Sequence, residues 1–249
     1  MNDNSVPAVF KRLWRLPSAP QRLGRKSTLD VETVVSTAVR LADEGGLDAA
    51  TLPKVAEQLG VTAMSLYRHV GSKHELLQLM MDAASEPRHT AIDSSSGWRD
   101  GLRLWAADLW ALYQTRPWAP RVPVYSPPSG PHQIAWLERG LAQLAPTSLD
   151  WEEKLAALTL LSGFVRQSAL LQQELTEGRE VGQAQSDSER EYAAALHQLV
   201  EPDRFPQTAA MLASRALSSD VPGADEPDKD FLTGLELVLD GLAARIIPD

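Results

Sequence analysis

Four neighbouring side chains are of types that could act on a polyanion. Ala63 and Met64 offer an apolar surface of the kind a thymine methyl group would meet. Arg68 carries a planar fork that can donate two hydrogen bonds to a guanine edge. Lys73 opens the next apolar run, where the unpaired N–H groups of a helix start favour an anion. None of this is catalytic machinery. The chain shows no Ser/His/Asp set, no glycine-rich phosphate loop and no convergent carboxylate pair, so no catalytic residue is expected. It has no cysteine, and its five histidines are not paired at i, i+4, so neither a metal centre nor a cofactor is expected.

Short helices must position these residues. Thr51 reads as an N-cap, with Pro53 in the first turn, and Leu52, Val55, Ala56 and Leu59 recur at helical spacing. Gly60 interrupts, and Thr62 caps a second helix that carries Met64, Leu66, Tyr67 and His69. After Gly71, Ser72 caps a third, with Glu75 at the capping-box position. Upstream, Asp30 caps a helix to about Glu44, ended by Gly45 and Gly46. Two short helices joined by a glycine-containing turn make a helix-turn-helix, whose second helix enters the major groove.

The run T51-x-x-x-V-A-x-x-L-G-V-T-x-x-x-L-Y-x-H-V-x-x-K73-x-x-L-L resembles the DNA-binding domain of the TetR (tetracycline repressor) family. With Leu29–Gly46 the resemblance spans about fifty residues. It implies that Thr51, Ser65, Tyr67, His69 and Lys73 are phosphate-contacting positions, beside Ala63, Met64 and Arg68 on the groove side. Pro53 stands where many members carry a polar or basic base-reading side chain, so that contact is absent here.

Charge is distributed unevenly. The net charge is −9 over 249 residues. Residues 1–90 hold eleven basic against ten acidic residues, net +1, and the remainder thirteen against twenty-three, net −10. Between Lys11 and Thr28 there are six basic residues and no acid. Residues 1–28 read as a mobile basic arm, in which Arg25 and Lys26, with Arg22, are placed to reach phosphates or a minor groove. No apolar run approaches the ~20 residues of a membrane span, and the N-terminus lacks a signal-type apolar region. With no cysteine, a cytoplasmic location is the natural expectation.

Residues 29–86 form the expected reading head, and the polar linker Glu86–Gly97 leads to a helical body over 97–249. Helices are expected over 98–115, 132–144, 150–177, 189–200, 207–217 and 231–247, with an irregular segment of six prolines at 116–131. The fold class is therefore all-α. Six of the seven tryptophans lie between Trp98 and Trp151, which is either core filling or the aromatic wall of a cavity. Trp105, Leu109, Tyr113, Trp118, Trp136, Phe164 and Gln167 are the candidate ligand contacts, with His132 at the mouth. Arg166 could instead serve an interface ion pair. The helices at 150–177 and 231–247 carry apolar residues on more than one face. The family resemblance implies that they dimerise, through Leu158, Leu161 and Val165 on one and Leu235, Val238, Leu239 and Leu242 on the other. Periodicity alone equally allows plain core.

The expected function is a homodimeric transcriptional repressor that binds a palindromic DNA operator and is released by a small apolar or aromatic effector. Within the same fold the alternative is an activator or a ligand-independent regulator. An enzyme lacks its residues here, and a protein-interaction module would not need Tyr67, Lys73 and a basic arm.

Overall fold

A computed structural model describes residues 6–17, 29–87, 97–178, 185–214 and 228–246. Eleven α-helices run through them: α1 (Ala8–Leu13), α2 (Val31–Gly45), α3 (Leu52–Gln58), α4 (Ala63–Val70), α5 (Lys73–Ala84), α6 (Gly97–Thr115), α7 (Pro131–Leu144), α8 (Trp151–Glu177), α9 (Gln185–Leu199), α10 (Pro206–Ala213) and α11 (Lys229–Ala243). No strand occurs among the described residues. The chain divides into two compact units, residues 1–170 with 241–249, and residues 171–240.

In the first unit, the starts of α2–α5 follow from local chemistry. Asp30 accepts from the Thr33 N–H at 2.8 Å, and that bond holds its carboxyl below the usual carboxylate range. Thr51, Thr62 and Ser72 each accept from the N–H three residues on. Gly60 and Gly71 have φ of 66° and 65°, the left-handed region that ends α3 and α4. Val34, Val35 and Ala38 of α2, Val55 of α3, and Leu66 and Val70 of α4 are fully buried. Each valine or leucine among them contributes roughly 1.5–3 kcal/mol by leaving water, and this burial fixes the angle between α3 and α4.

The expected arm is not wholly arm. Six of its residues form α1, and Leu13 at its end is buried. So short a helix is unstable alone. Tertiary contacts hold it: the Arg12 guanidinium makes a two-pronged ion pair with Glu75 of α5, one arm at 2.9 Å. Trp14 Nε1 donates to the Ser129 carbonyl at 2.8 Å, and Arg15 pairs with Glu32 of α2. Arg22, Arg25 and Lys26 lie outside the described residues.

Helix α6 lies along α7, and α5 touches α7. The first twenty residues of α8 complete this unit. In the second unit, α9 and α10 pair, with Leu212 buried, while Phe231, Leu235 and Leu239 are the buried residues of α11. The stretch between the helices expected over 150–177 and 189–200 is shorter than read, because α9 begins at Gln185.

Removing the Arg12 side chain should detach α1 without melting the reading head. Arg12→Ala is expected to cost about 1–3 kcal/mol, the range for a part-buried charged hydrogen-bonded pair. Hydrogen exchange should show amide protection lost over Ala8–Leu13 and kept over Val31–Ala84; unchanged protection in α1 would refute the assigned role of this pair.

Candidate nucleic-acid interface and cavity

On α4, burial separates structure from reading. Leu66 and Val70 face inward, whereas Met64 is 73% exposed and Tyr67 46%. A methionine so exposed contributes nothing to the core, and its position fits contact with base methyls. Arg68 and Lys73 are exposed as well, and Ala63 and His69 partly so. Two polar candidates already have local work. Ser65 Oγ donates to the Thr62 carbonyl at 2.6 Å, and Thr51 caps α3 with a longer bond, 3.4 Å, from the Lys54 N–H. The remaining polar groups, Tyr67, Arg68, His69 and Lys73, lie on α4 and in the first turn of α5, the segments that would meet a phosphate backbone.

Behind this face, a cavity of about 850 Å³ opens among α5, α6, α7, α8 and the proline segment. That volume is in the range of small-molecule pockets. Trp105, Leu109 and Tyr113 of α6 and Trp136 of α7, four of the candidate ligand contacts, line it. The two indoles meet edge to face, ring centroids 5.7 Å apart. Trp105 Nε1 donates to the Trp136 carbonyl at 3.0 Å, and Trp136 Nε1 to the Ser85 carbonyl at 2.7 Å. Their polar edges are thus satisfied by backbone, and their rings are left as apolar wall. Burial pushes the Tyr113 phenol up to about 12, so it stays neutral.

Four ligand candidates are not brought to the cavity. Trp118 is buried elsewhere, donating to Asp43 Oδ1 of α2 at 2.6 Å. His132 Nδ1 lies 3.0 Å from the Asp82 carbonyl, at the foot of α7. Phe164 and Gln167 sit on another side of α8 from the wall residues Leu155, Leu158, Thr159, Ser162 and Arg166, whose spacing of three and four defines one face. The expected dimer seam is out of phase in the complementary sense. Leu158 lines the cavity, and Leu158, Leu161, Val165, Leu235 and Leu239 are all buried within the single chain. Val238 and Leu242 keep partial exposure. The outward leucines are others: Leu160 on α8 is 62% exposed and Leu237 on α11 69%.

Sequence reasoning missed the elements that join head to cavity. The proline segment is itself wall, through Pro123, Val124, Tyr125 and Pro127. It also rests on α5: Tyr125 stacks on His74 at 4.4 Å, and Ser126 Oγ accepts from Gln78 Nε2 at 3.0 Å. Asp82 of α5, nearly fully buried, accepts from the His132 and Gln133 N–H groups at 3.1 and 3.0 Å. It supplies the cap that Gly130, at the N-cap position of α7, has no side chain to give. A Cβ at Gly130 would run into the Asp82 carboxylate. Burial pushes that carboxyl above its usual value, although both N–H bonds pull the other way. The sequence signal was a lone acid in the apolar run Leu76–Met81 and Ala83–Ala84.

Residues 34–80 match the family model described as bacterial regulatory proteins, tetR family, and residues 92–246 match tetracyclin repressor-like, C-terminal domain. The chain is 35% identical to the HTH-type transcriptional repressor DrrR1 of Streptomyces coeruleorubidus, over 98% of this chain and 88% of that protein. It is similar in structure to apo ActR of Streptomyces coelicolor, with a TM-score of 0.70 and 26% identity, covering 88% of this chain and 98% of that one. The complex of ActR with actinorhodin matches over the same shares, with a TM-score of 0.70 and 28% identity.

The cap at α7 gives a direct expectation. Asp82→Ala strands two part-buried N–H groups and should destabilise by about 1–3 kcal/mol. Asp82→Asn keeps an acceptor oxygen and should cost less. The raised folded-state pKa means the protonated wild-type carboxyl is favoured in the fold. Its contribution is full below the unfolded value of 3.8 and is lost as pH rises through the folded value. Asp82→Asn should therefore gain on wild type between acid and neutral pH in denaturant melts; a pH-independent difference would contradict the burial argument.

Proposed function

This chain belongs to the TetR family of bacterial transcriptional regulators, and on that premise we propose that it is a repressor that reads an operator with α4 and is released by a small aromatic effector. One observation carries the reading. Helix α5 begins with Lys73 at the nucleic-acid face, and Gln78 and Met81 along its length, with Ser85 at its C-cap, are cavity wall. An occupant of the cavity therefore touches the element that orients the reading head. The effector need only prefer the conformation in which the heads are misplaced, and a 100-fold preference corresponds to ~2.7 kcal/mol of coupling. An open cavity favours this reading over a ligand-independent regulator. The name of DrrR1, a repressor, favours repression over activation. The actinorhodin complex of ActR supports a small-molecule effector, and the tryptophan wall supports an aromatic one.

In this reading residues 29–86 are the DNA head and 97–249 the ligand and dimerisation body, working in the cytoplasm. Tyr67, Lys73 and His69, with Arg25 and Lys26 of the arm, hold phosphates, and Met64, Ala63 and Arg68 read bases. The protein acts as a homodimer on half-sites related by a two-fold axis. The seam uses the outward residues of α8 and α11, with Leu160 and Leu237 in place of the buried leucines first expected.

Operator binding, measured on duplexes selected from genomic fragments, should weaken roughly 10³-fold between 50 and 200 mM salt for ~6 phosphate contacts. Lys73→Ala should weaken all duplexes alike and lower the salt slope by about one. Arg68→Ala should cost ~1–3 kcal/mol at one base position. Salt-independent binding, or no preference over random duplex, would end the operator reading. A panel of tricyclic and tetracyclic aromatic compounds should contain members that raise the melting temperature and release operator; stabilisers that never release it would remove the effector role.

Sedimentation tests the seam. Wild type should run as a dimer at micromolar concentration, and Leu160→Glu should run as a monomer with its helicity intact. A dimeric Leu160→Glu would place the seam elsewhere.

A further inference from the structure

Among the described residues lining the cavity, Arg166 alone carries a formal charge at neutral pH, and none is a carboxylate. That is unexpected in a body whose net charge is −10 over residues 91–249. The position is built. Arg166 Nε donates to the Pro120 carbonyl at 2.8 Å, and Nη2 to the Val122 carbonyl at 3.3 Å. These two bonds fix the plane of the guanidinium and leave its charge uncompensated, because a carbonyl is a dipole and not an anion. Among the described residues no acid pairs with it. Tyr113 feels the Arg166 charge, yet its phenol stays neutral and supplies no counter-ion. A guanidinium has five N–H donors, so part of the fork remains for a ligand. The rest of the described wall is uncharged: neutral polar groups such as Gln78, Gln133, Thr159 and Ser162 are set among apolar rings and aliphatic surface that include Trp105 and Trp136.

We propose that Arg166 makes the cavity selective for a planar aromatic acid, whose rings lie against Trp105 and Trp136 and whose carboxylate pairs with the guanidinium. This rests on the cavity being the effector site, and it adds the charge of the effector. The fork is suited to a carboxylate, and a charge-assisted pair is about twice as strong as a neutral hydrogen bond. A neutral analogue of the same shape keeps the ring contacts and forfeits that pair. Because Arg166 is half-buried, the pair is sheltered from solvent more than a surface ion pair is.

The test uses the full-length protein and two probes of matched shape, anthraquinone-2-carboxylate and its methyl ester, with tryptophan quenching as the readout. Wild type should bind the acid about tenfold more tightly than the ester, the scale of one charge-assisted hydrogen bond. In Arg166→Met the acid should lose about tenfold while the ester holds within about twofold, and Arg166→Lys should restore part of the difference. Ester binding also reports that the variants fold. Equal affinity of wild type for acid and ester overturns the inference and leaves the effector reading standing. Equal loss of both probes in Arg166→Met overturns it too, since Arg166 would then merely staple residues 120–122 to α8. Failure of both probes to bind wild type at their solubility limits overturns the inference and the effector reading together.

Discussion

A buried carboxylate on one helix capping the first turn of another is the constraint on which this molecule turns. Asp82 belongs to α5, and the N–H groups it accepts belong to α7. Because Asp82 occupies the space, residue 130 must lack a side chain. Because α7 starts there, Trp136 arrives one turn later with its indole N–H against the end of α5, at Ser85. Trp105 in turn hangs on the Trp136 carbonyl. The tryptophan wall is thus set by a polar contact made outside it. Stranding the two N–H groups would forfeit about 1–3 kcal/mol, comparable with the burial of a whole aliphatic side chain.

The reading head was legible because its signals are local. Asp30, Thr51, Thr62 and Ser72 cap the helices they precede, and the glycines between them have the backbone angles their positions require. Short-range chemistry of that kind needs no knowledge of the rest of the chain. Helix α1 failed for the opposite reason. Only Leu13 is buried, and the ion pair that docks it joins residues far apart in sequence.

In α8 the difficulty was phase. Leucines occupy 155, 158, 160, 161, 170, 171 and 175, so apolar residues circle the helix. Periodicity identifies a helix there and cannot say which side is inside. As a result Phe164 and Gln167 were placed in the cavity and Leu158 in the seam, whereas Leu158 is cavity wall and the other two are not. Tryptophan content had a similar limit. It announced burial for Trp118 correctly, but not that its indole would be spent on Asp43 of α2. Arg166 drew attention as an ion-pair partner, and its two carbonyl acceptors are set by the turn at Pro120–Val122, which no pattern in the sequence encodes.

The sharing of α5 between the nucleic-acid face and the cavity has a consequence for sensitivity. Coupling free energy has no direction: if an effector weakens operator binding by some factor, the operator weakens effector binding by the same factor. DNA is then an antagonist of the small molecule. Protein already seated on its operator would respond only at effector concentrations higher than those that saturate the unbound pool. The first molecules of effector would be absorbed by the idle repressor, and the threshold for derepression would rise with the number of copies the cell keeps off DNA.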